Sequence, residues 1–250
     1  MNSPSSLLEK LTKINNENTA SIFVPSIGKE ASFKLLNIKQ QKDLIKTAMD
    51  GAAAGATLNQ VLNEIIVTNS IEKIDFKIYD RYAIIIALRA AIIGDAFNHK
   101  GKEIKLSEIH KQNIKNYKQK VFKEKESISY HTINTSLELP TIEKDSKINE
   151  KFIKFAKNKE NSDNYGDAIG NLYIYEIIKF IKSIQIDGED TVYDFDTISI
   201  KDCAAIVESL PVGLNTKIIE YIESIRDVEN GFIETENGQI EINAAFFTKA

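Results

Sequence analysis

Hydrophobic residues are most concentrated in residues 80–95, where Arg89 is the only charged side chain within positions 82–93. A helix that is apolar on every side has no face for solvent, so this segment is predicted to be a buried central helix. It is shorter than the roughly 20 apolar residues that a membrane-spanning helix needs. Asp80 is expected to cap the N-terminus of this helix, and Gly94 is expected to end it.

Arg89 is the unusual residue of the central helix. Its charge persists at pH 7, so its burial requires a carboxylate or carbonyl partner. The residues three and four positions away on either side are all isoleucines, so the partner must come from another element. We expect a carboxylate, with Glu64 and Glu176 as candidates. Arg89 then either forms a buried ion pair that fixes packing, or it takes part in docking a partner protein.

Apolar residues at helical spacing predict further helices along the chain. The pairs Asn37/Gln40 and Thr57/Gln60 have the spacing of a capping box, so they are expected to begin two of these helices. The N-terminal segment is interpreted either as a short helix over Ser6–Ile14 or as mobile. The other predicted helices cover approximately residues 37–51, 57–66, 107–122, 146–157, 167–183, 200–209 and 212–227.

Short apolar or alternating runs predict the strands. Residues 21–25 and 31–36 are expected to pair, and 127–139 is expected to form a half-buried strand. Two short extended pieces are predicted near 184–186 and 191–193. Runs at 232–236 and 239–242 flank Asn237-Gly238, which is the dipeptide of a type I′ hairpin turn. The fold class that follows is α+β, predominantly helical, with short peripheral β-hairpins.

The clearest linker is the polar run Asn-Lys-Glu-Asn-Ser-Asp-Asn-Tyr-Gly at residues 158–166. It suggests a division of the chain into three parts. We expect a mobile N-terminal segment at 1–20 and an α+β region with the central helix at 21–157. A helical region that ends in a β-hairpin and a tail is expected at 167–250.

Composition and charge narrow the classes of partner. The chain of 250 residues has 42% hydrophobic and 27% charged residues, as an ordinary globular protein does. Its net charge of −4 argues against a protein that coats nucleic acid. The lysine-rich segment 100–125 lacks arginine and an aromatic stacking platform, so it is interpreted as a solvated face. For these two reasons we expect no nucleic acid as a partner. No signal peptide and no membrane-spanning run are visible, so we expect no membrane as a partner either.

Residues that could carry chemistry are few. The three histidines, at positions 99, 110 and 131, do not fall at the spacing of helical metal ligands. Cys203 is the only cysteine, which excludes an internal disulfide and fits a reducing compartment. The acidic residues between 187 and 196 do not match a calcium-binding loop. The sequence therefore predicts no metal site, no cofactor and no enzymatic activity.

Several segments occur in an order that is similar to a known family. They are Ile22-Phe-Val-Pro-Ser26, the run Phe33–Ile45, Asp80-Arg81 with Leu88-Arg89 and Gly94, the run Ile177–Ile181, Leu210-Pro211 and Phe246-Phe247. From about residue 21 to the end, the chain resembles baseplate hub proteins of T4-like contractile-tailed phages. The resemblance implies a hub subunit or hub assembly factor whose partners are other phage tail and hub proteins. It also implies a protein of the host cytoplasm during assembly, which stays in the virion tail if it is a subunit and not if it is an assembly factor.

We therefore expect a non-enzymatic phage protein that acts through protein–protein contacts. The alternative is a cytoplasmic helical adaptor or chaperone-like protein unrelated to phage. The candidate partner-binding or structural residues are Arg81, Arg89, Phe246 and Phe247. The two phenylalanines would point to opposite sides of an extended tail. Either both rings pack on their own domain, or at least one ring anchors a neighbouring hub protein.

Overall fold

The structure is a computed structural model, and it describes residues 4–47, 53–159 and 165–248. These residues form α-helices and small antiparallel β-sheets, which confirms the predicted α+β class with mostly helical content. The helices are α1 (Pro4–Glu17), α2 (Ile38–Thr47), α3 (Ala54–Asn69), α4 (Asp80–Ile93), α5 (Leu106–Tyr117), α6 (Ile142–Lys159), α7 (Tyr165–Phe180), α8 (Ile200–Glu208) and α9 (Val212–Asn230).

The strands pair into three sheets within the described residues. The strands are β1 (Thr19–Val24), β2 (Lys29–Lys34), β3 (Ala96–His99), β4 (Lys102–Lys105), β5 (Lys125–Tyr130), β6 (Ile133–Glu138), β7 (Ile181–Ile186) and β8 (Val192–Asp194). β1 pairs with β2, β3 pairs with β4, and the other four form one sheet in chain order. Because β6 pairs with β7, this sheet joins strands from both sides of the predicted linker.

The central helix α4 contributes to both of the large hydrophobic clusters, as expected for a buried helix. Ala83 belongs to the cluster that α7, α9 and the four-stranded sheet build. Ile84, Ile85 and Leu88 belong to the cluster that includes β1, β2 and α3. The side chain of Tyr82 packs against both clusters, so α4 connects the two halves of the core.

The start of α4 differs from the prediction, whereas its end at Gly94 agrees with it. Asp80 does not cap its own helix, because its carboxylate accepts the backbone N–H groups of Ser26 and Lys77, each at 2.8 Å. Asp80 therefore ties the β1–β2 hairpin to α4. Gly94 follows the helix with φ 121° and ψ 160°, a conformation that glycine tolerates but that is not the left-handed helical one.

The two predicted capping boxes have different outcomes. At the start of α2 the Asn37 N–H donates to the Gln40 side chain at 3.1 Å, and the Gln40 N–H donates to the Asn37 side chain at 3.0 Å. That box is confirmed. Thr57 and Gln60 instead lie inside α3, which begins earlier, at Ala54, because the strong helix formers Ala54 and Ala56 extend it upstream. The predicted end of α2 at Gly51 lies outside the described residues.

The predicted strands near residue 130 and at the C-terminal end need correction. Residues 127–139 form two paired strands rather than one, because the chain turns at His131, whose φ is 51°. The predicted C-terminal hairpin has no strands, since Gly231–Ile233 is a 3-10 turn. Phe232 and Ile233 are both buried, and a strand would have placed these neighbours on opposite faces. Three hairpin-like hydrogen bonds remain. Thr235 and Gly238 exchange backbone bonds at 3.2 and 3.1 Å, and the Ile240 N–H donates to the Ile233 carbonyl at 2.9 Å, so the two-residue turn lies at 236–237.

Other differences concern positions of element ends. The N-terminal helix is longer than the predicted Ser6–Ile14 helix, and the β3–β4 hairpin was not predicted. The lysine-rich helix α5 ends five residues earlier than expected and buries Leu106 and Asn113. Most of the predicted linker, residues 160–164, lies outside the described residues, so the division into three parts stays a prediction.

Candidate functional site

Arg81, in the first turn of α4, lies at the centre of a cluster of buried polar side chains. Its guanidinium donates to Asp145 at 2.7 Å, to Glu229 at 3.0 Å and to the Asn63 side-chain oxygen at 2.9 Å. Asp145 also accepts a salt bridge from Lys179 at 2.8 Å. All five side chains are buried, and they come from α3, α4, α6, α7 and α9. We call this set, together with Asn149, the charge cluster.

The charge cluster is electrically balanced. Its buried ions are two cations, Arg81 and Lys179, and two anions, Asp145 and Glu229. At its edge, Glu176 contacts Lys179 and reaches the exposed Arg226 at 3.3 Å, which adds one charge of each sign. A buried ion is tolerated when a partner and hydrogen bonds replace its water, and this arrangement supplies both.

The carboxylates of the charge cluster have different proton affinities. Burial favours the protonated form of Asp145, but the attraction of Lys179 and Arg81 outweighs it and lowers its pKa to about 2. For Glu229, burial dominates over the attraction of Arg81 and raises its pKa to about 6. Both groups are therefore mainly ionised at neutral pH, and Glu229 titrates closest to it.

A cleft of about 280 Å³ leads to the charge cluster from the surface. Its lining includes Gly55, Asn59, Leu172 and Asn230 beside the charged groups. The ions of the cluster pair with one another across α4, α6, α7 and α9, and Asn63 adds α3, so this arrangement joins five helices.

Arg89 is buried, with 3% of its surface exposed, but its partners are carbonyl groups. Its guanidinium donates to the Phe246 carbonyl at 2.9 Å and to the Gly94 carbonyl. The guanidinium carbon also lies 5.7 Å from the ring centre of Phe97 and 5.8 Å from that of Phe246. These contacts are cation–π interactions, and they favour the charged form in an apolar site.

The carboxylate partner that we expected for Arg89 is wrong. Glu64 is exposed on α3, and Glu176 pairs with Lys179 and Arg226. Carbonyl oxygens suffice because they accept hydrogen bonds without adding a second buried charge. Burial lowers the pKa of Arg89, yet arginine stays protonated at physiological pH.

Phe246 and Phe247 lie in the hydrophobic core of their own chain, each with 1% of its surface exposed. They belong to a 3-10 turn, Ala244–Phe247, which the Asn243 side chain caps by accepting backbone N–H groups. The rings meet edge to face at 5.1 Å, and the Gln41 side chain donates to the Phe247 carbonyl at 2.8 Å. Of the two alternatives for the tail, the structure has the one in which both rings pack internally.

Exposed apolar side chains are most concentrated on α1, which has no buried residue. Leu7, Leu8, Leu11 and Ile14 are each between 46% and 64% exposed. Single exposed apolar residues are ordinary on protein surfaces, but a row of them on one helix indicates a contact surface.

The candidate chemical residues do not converge. Among the described residues, no group of three or more His, Cys, Asp or Glu side chains could hold a metal ion. The Cys203 thiol is buried against the carbonyls of Phe195 and Ile198, at 3.8 and 3.9 Å. No helix in the described part of the chain is long and apolar enough to cross a membrane. The aromatic rings of Tyr117 and Phe122 pack on Tyr79 and form part of the core.

Sequence reasoning named Arg81 but missed its partners. Asp145 and Glu229 lie in amphipathic helices, where an acidic residue normally faces solvent. Lys179 had a signal like that of Arg89, because it is a single cation inside the apolar run Ile177–Ile181. That pattern indicates a buried charge that needs a partner from another element.

Comparison with known proteins identifies the family. The model of the family described as T4 bacteriophage base plate protein matches residues 16–234, from the last turn of α1 to just beyond α9. Neither the curated proteins nor the solved structures gave a match. Because the matched region is most of the chain, the chain belongs to the family of T4 bacteriophage base plate proteins.

Proposed function

We propose that this protein acts in the central hub of the phage baseplate, as a non-enzymatic subunit or assembly factor that binds other tail proteins. The observation that carries the proposal is the family match over residues 16–234, which indicates a structural or assembly role in the baseplate. The hub position is the finer part of the proposal, and it rests on the order of the segments that resemble hub proteins. The family match also argues against a cellular adaptor unrelated to phage.

The architecture supports a role in protein contact. The charge cluster joins α4 to four other helices, and its ions are paired inside the molecule. Such a core fixes the relative positions of the surface elements, while α1 leaves apolar side chains exposed. With a net charge of −4, the partners that we propose are proteins of the tail rather than nucleic acid or lipid.

The test is a phage in which the gene carries a nonsense codon, grown with and without the wild-type protein supplied in trans. Without the protein, electron microscopy should show tails or baseplates that lack a complete hub, and the supplied protein should restore them. Mass spectrometry of purified virions beside hub intermediates then separates a subunit, present in both, from an assembly factor, present only in the intermediates. Normal infectious virions from the nonsense phage would contradict the proposal.

A further inference from the structure

The helix α1 has an apolar face that is exposed to solvent. Leu7, Leu11 and Ile14 are spaced at i, i+4 and i+7, so they lie on one face, and Leu8 flanks them. All four are exposed, and the polar residues Thr12 and Asn16 lie on the opposite side. The helix therefore has the apolar face of an element that packs, but the described part of the chain does not cover it.

The connection to the rest of the chain holds α1 at one end. The Asn18 N–H donates to the Ile14 carbonyl at 3.1 Å, and the Asn18 carbonyl accepts the Leu35 N–H at 3.1 Å. The helix thus projects from the β1–β2 hairpin, which Asp80 ties to α4. A helix of 14 residues is marginal in water without packing, so α1 gains stability when another surface covers its apolar face.

The charges of α1 argue for a protein surface. The helix carries two glutamates, Glu9 and Glu17, and two lysines, Lys10 and Lys13, which balance each other. Amphipathic helices that lie on membranes are rich in Lys and Arg on their polar face, and nucleic-acid contacts need excess positive charge. Neither pattern is present, and a balanced polar rim beside an apolar row fits a groove on another protein.

The size of the apolar face argues against a second copy of the chain. A stable interface buries about 800 Å² on each partner and uses about 20 to 30 residues a side. A coiled coil needs apolar heptads over about three to four repeats, whereas α1 spans 14 residues, or two repeats. A groove covers such a short helix from more than one side, so it buries more of the helix than a second helix does.

We propose that α1 inserts the face of Leu7, Leu11 and Ile14 into an apolar groove of another baseplate protein. This inference rests on the proposed function, because it takes the partner from the baseplate. The family match begins at residue 16, so it covers hardly any of α1, and the inference stands on the geometry of the helix. In this proposal the folded core positions α1, and α1 makes the specific contact with the partner.

The test measures binding of the full-length chain to each of the other baseplate proteins of the same phage, purified one at a time. The variant Leu7→Glu/Leu11→Glu places two charges on the apolar face. The matched control Thr12→Glu/Asn16→Glu places two charges on the opposite side of the same helix, also at exposed positions. We expect the first variant to weaken binding to one partner by at least about 100-fold, and the control by less than about threefold.

Other outcomes separate the inference from the proposed function. If the wild-type chain binds one of these proteins and the Leu7→Glu/Leu11→Glu variant binds equally well, the role of α1 is wrong while the baseplate function stands. If the wild-type chain binds none of them, both are overturned. If the wild-type chain forms a dimer in sedimentation velocity and the Leu7→Glu/Leu11→Glu substitutions dissociate it, the occupant is a second copy. If the wild-type chain binds vesicles containing phosphatidylglycerol and the same substitutions abolish this binding, the occupant is a membrane. Either result overturns the inference.

The melting temperature provides the folding control. Because no residue of α1 is buried, both double variants should melt within about 2 °C of the wild-type chain. A decrease of more than about 5 °C in the Leu7→Glu/Leu11→Glu variant alone would mean that α1 packs on its own chain, and the inference would then be wrong.

Discussion

Arg89 keeps its charge in an apolar helix by donating to two carbonyl groups. Because these partners are uncharged, they determine how much stability is lost when Arg89 is replaced. Replacing it with methionine leaves the Phe246 and Gly94 carbonyls without their donor, but it strands no charge. We therefore predict that Arg89→Met lowers the free energy of unfolding by about 1–3 kcal/mol. Urea denaturation measures the change, with Arg226→Met as an exposed control that should cost less than about 1 kcal/mol.

A much larger loss for Arg89→Met, about 5 kcal/mol, would contradict this reasoning, because it would indicate a stranded buried carboxylate.

Glu229 makes stability depend on pH through its raised pKa. Its pKa increases from 4.5 to about 6 on folding, mainly because of burial, so the folded chain binds this proton more tightly than the unfolded chain. The contribution is fully present below pH 4.5 and is lost as the pH rises through about 6. We predict that the stability of the wild-type chain relative to Glu229→Gln falls by about 2 kcal/mol between pH 4 and pH 7.

Comparison with the Gln variant is necessary because other groups titrate in the same range. Burial lowers the pKa of His110 from 6.5 to about 4, so its contribution to stability grows as the pH rises from about 4 to 6.5 and is complete above 6.5. Burial raises the pKa of Asp80 to about 6, which has the same sign as Glu229. Both contributions cancel in the difference between the two proteins. A difference in unfolding free energy that stays constant from pH 4 to 7 would contradict the shift at Glu229.

At the scale of elements, the tail after α9 behaves as part of the core. Phe246 and Phe247 are both buried against elements of the N-terminal half, including α2 and Phe97. We predict that Phe246→Ala and Phe247→Ala each lower the free energy of unfolding by about 3–5 kcal/mol, because each leaves a cavity. The exposed Thr248 provides the control, and Thr248→Ala should change stability by less than about 0.5 kcal/mol.

If either phenylalanine variant keeps wild-type stability in urea denaturation and loses a binding partner, the ring serves an interface instead.

Local signals predicted individual elements better than they predicted their partners. The capping box at Asn37 and the apolar run of α4 each depend on residues close together in the chain, so both could be predicted from the sequence. The hairpin turn is also local, but it lies at Glu236-Asn237, one residue before the predicted Asn237-Gly238, and the burial of both Phe232 and Ile233 prevents the flanking strands.

The partners in the candidate site depend on distant parts of the chain. Arg81 and Asp145 are 64 positions apart, and the carboxylate has no local mark that distinguishes it from a solvent-facing acid. The partner of Arg89 is a backbone carbonyl, which every residue possesses, so no side-chain pattern identifies it. Sequence therefore showed that a buried cation needs a partner, and only the folded chain shows which partner it has.

At the scale of the whole molecule, the charge cluster couples five helices, and Asp145 is its shared anion. Asp145→Asn leaves Arg81 and Lys179 with too little negative charge in a buried site. We predict that this change lowers the free energy of unfolding by about 3–5 kcal/mol. Lys147 provides a control on the same helix, since its pair with Glu143 is exposed and Lys147→Ala should cost at most about 1 kcal/mol.

Denaturation followed by both far-UV circular dichroism and tyrosine fluorescence measures this effect. The two probes should report one transition in the wild-type chain. A loss of less than about 1 kcal/mol for Asp145→Asn would mean that water, rather than Asp145, compensates the two cations.

The hydrogen bond between Arg89 and the Phe246 carbonyl joins positions 157 residues apart, and this separation has a consequence during translation. Ribosomes add about 5–20 residues per second, so roughly 8–30 s pass between the synthesis of the two residues. Throughout that interval, the nascent central helix lacks one of the two acceptors of its guanidinium and the rings of Phe246 and Phe247. A chain on a ribosome stalled within this interval therefore exposes apolar surface that the tail would cover, and chaperones bind such surface.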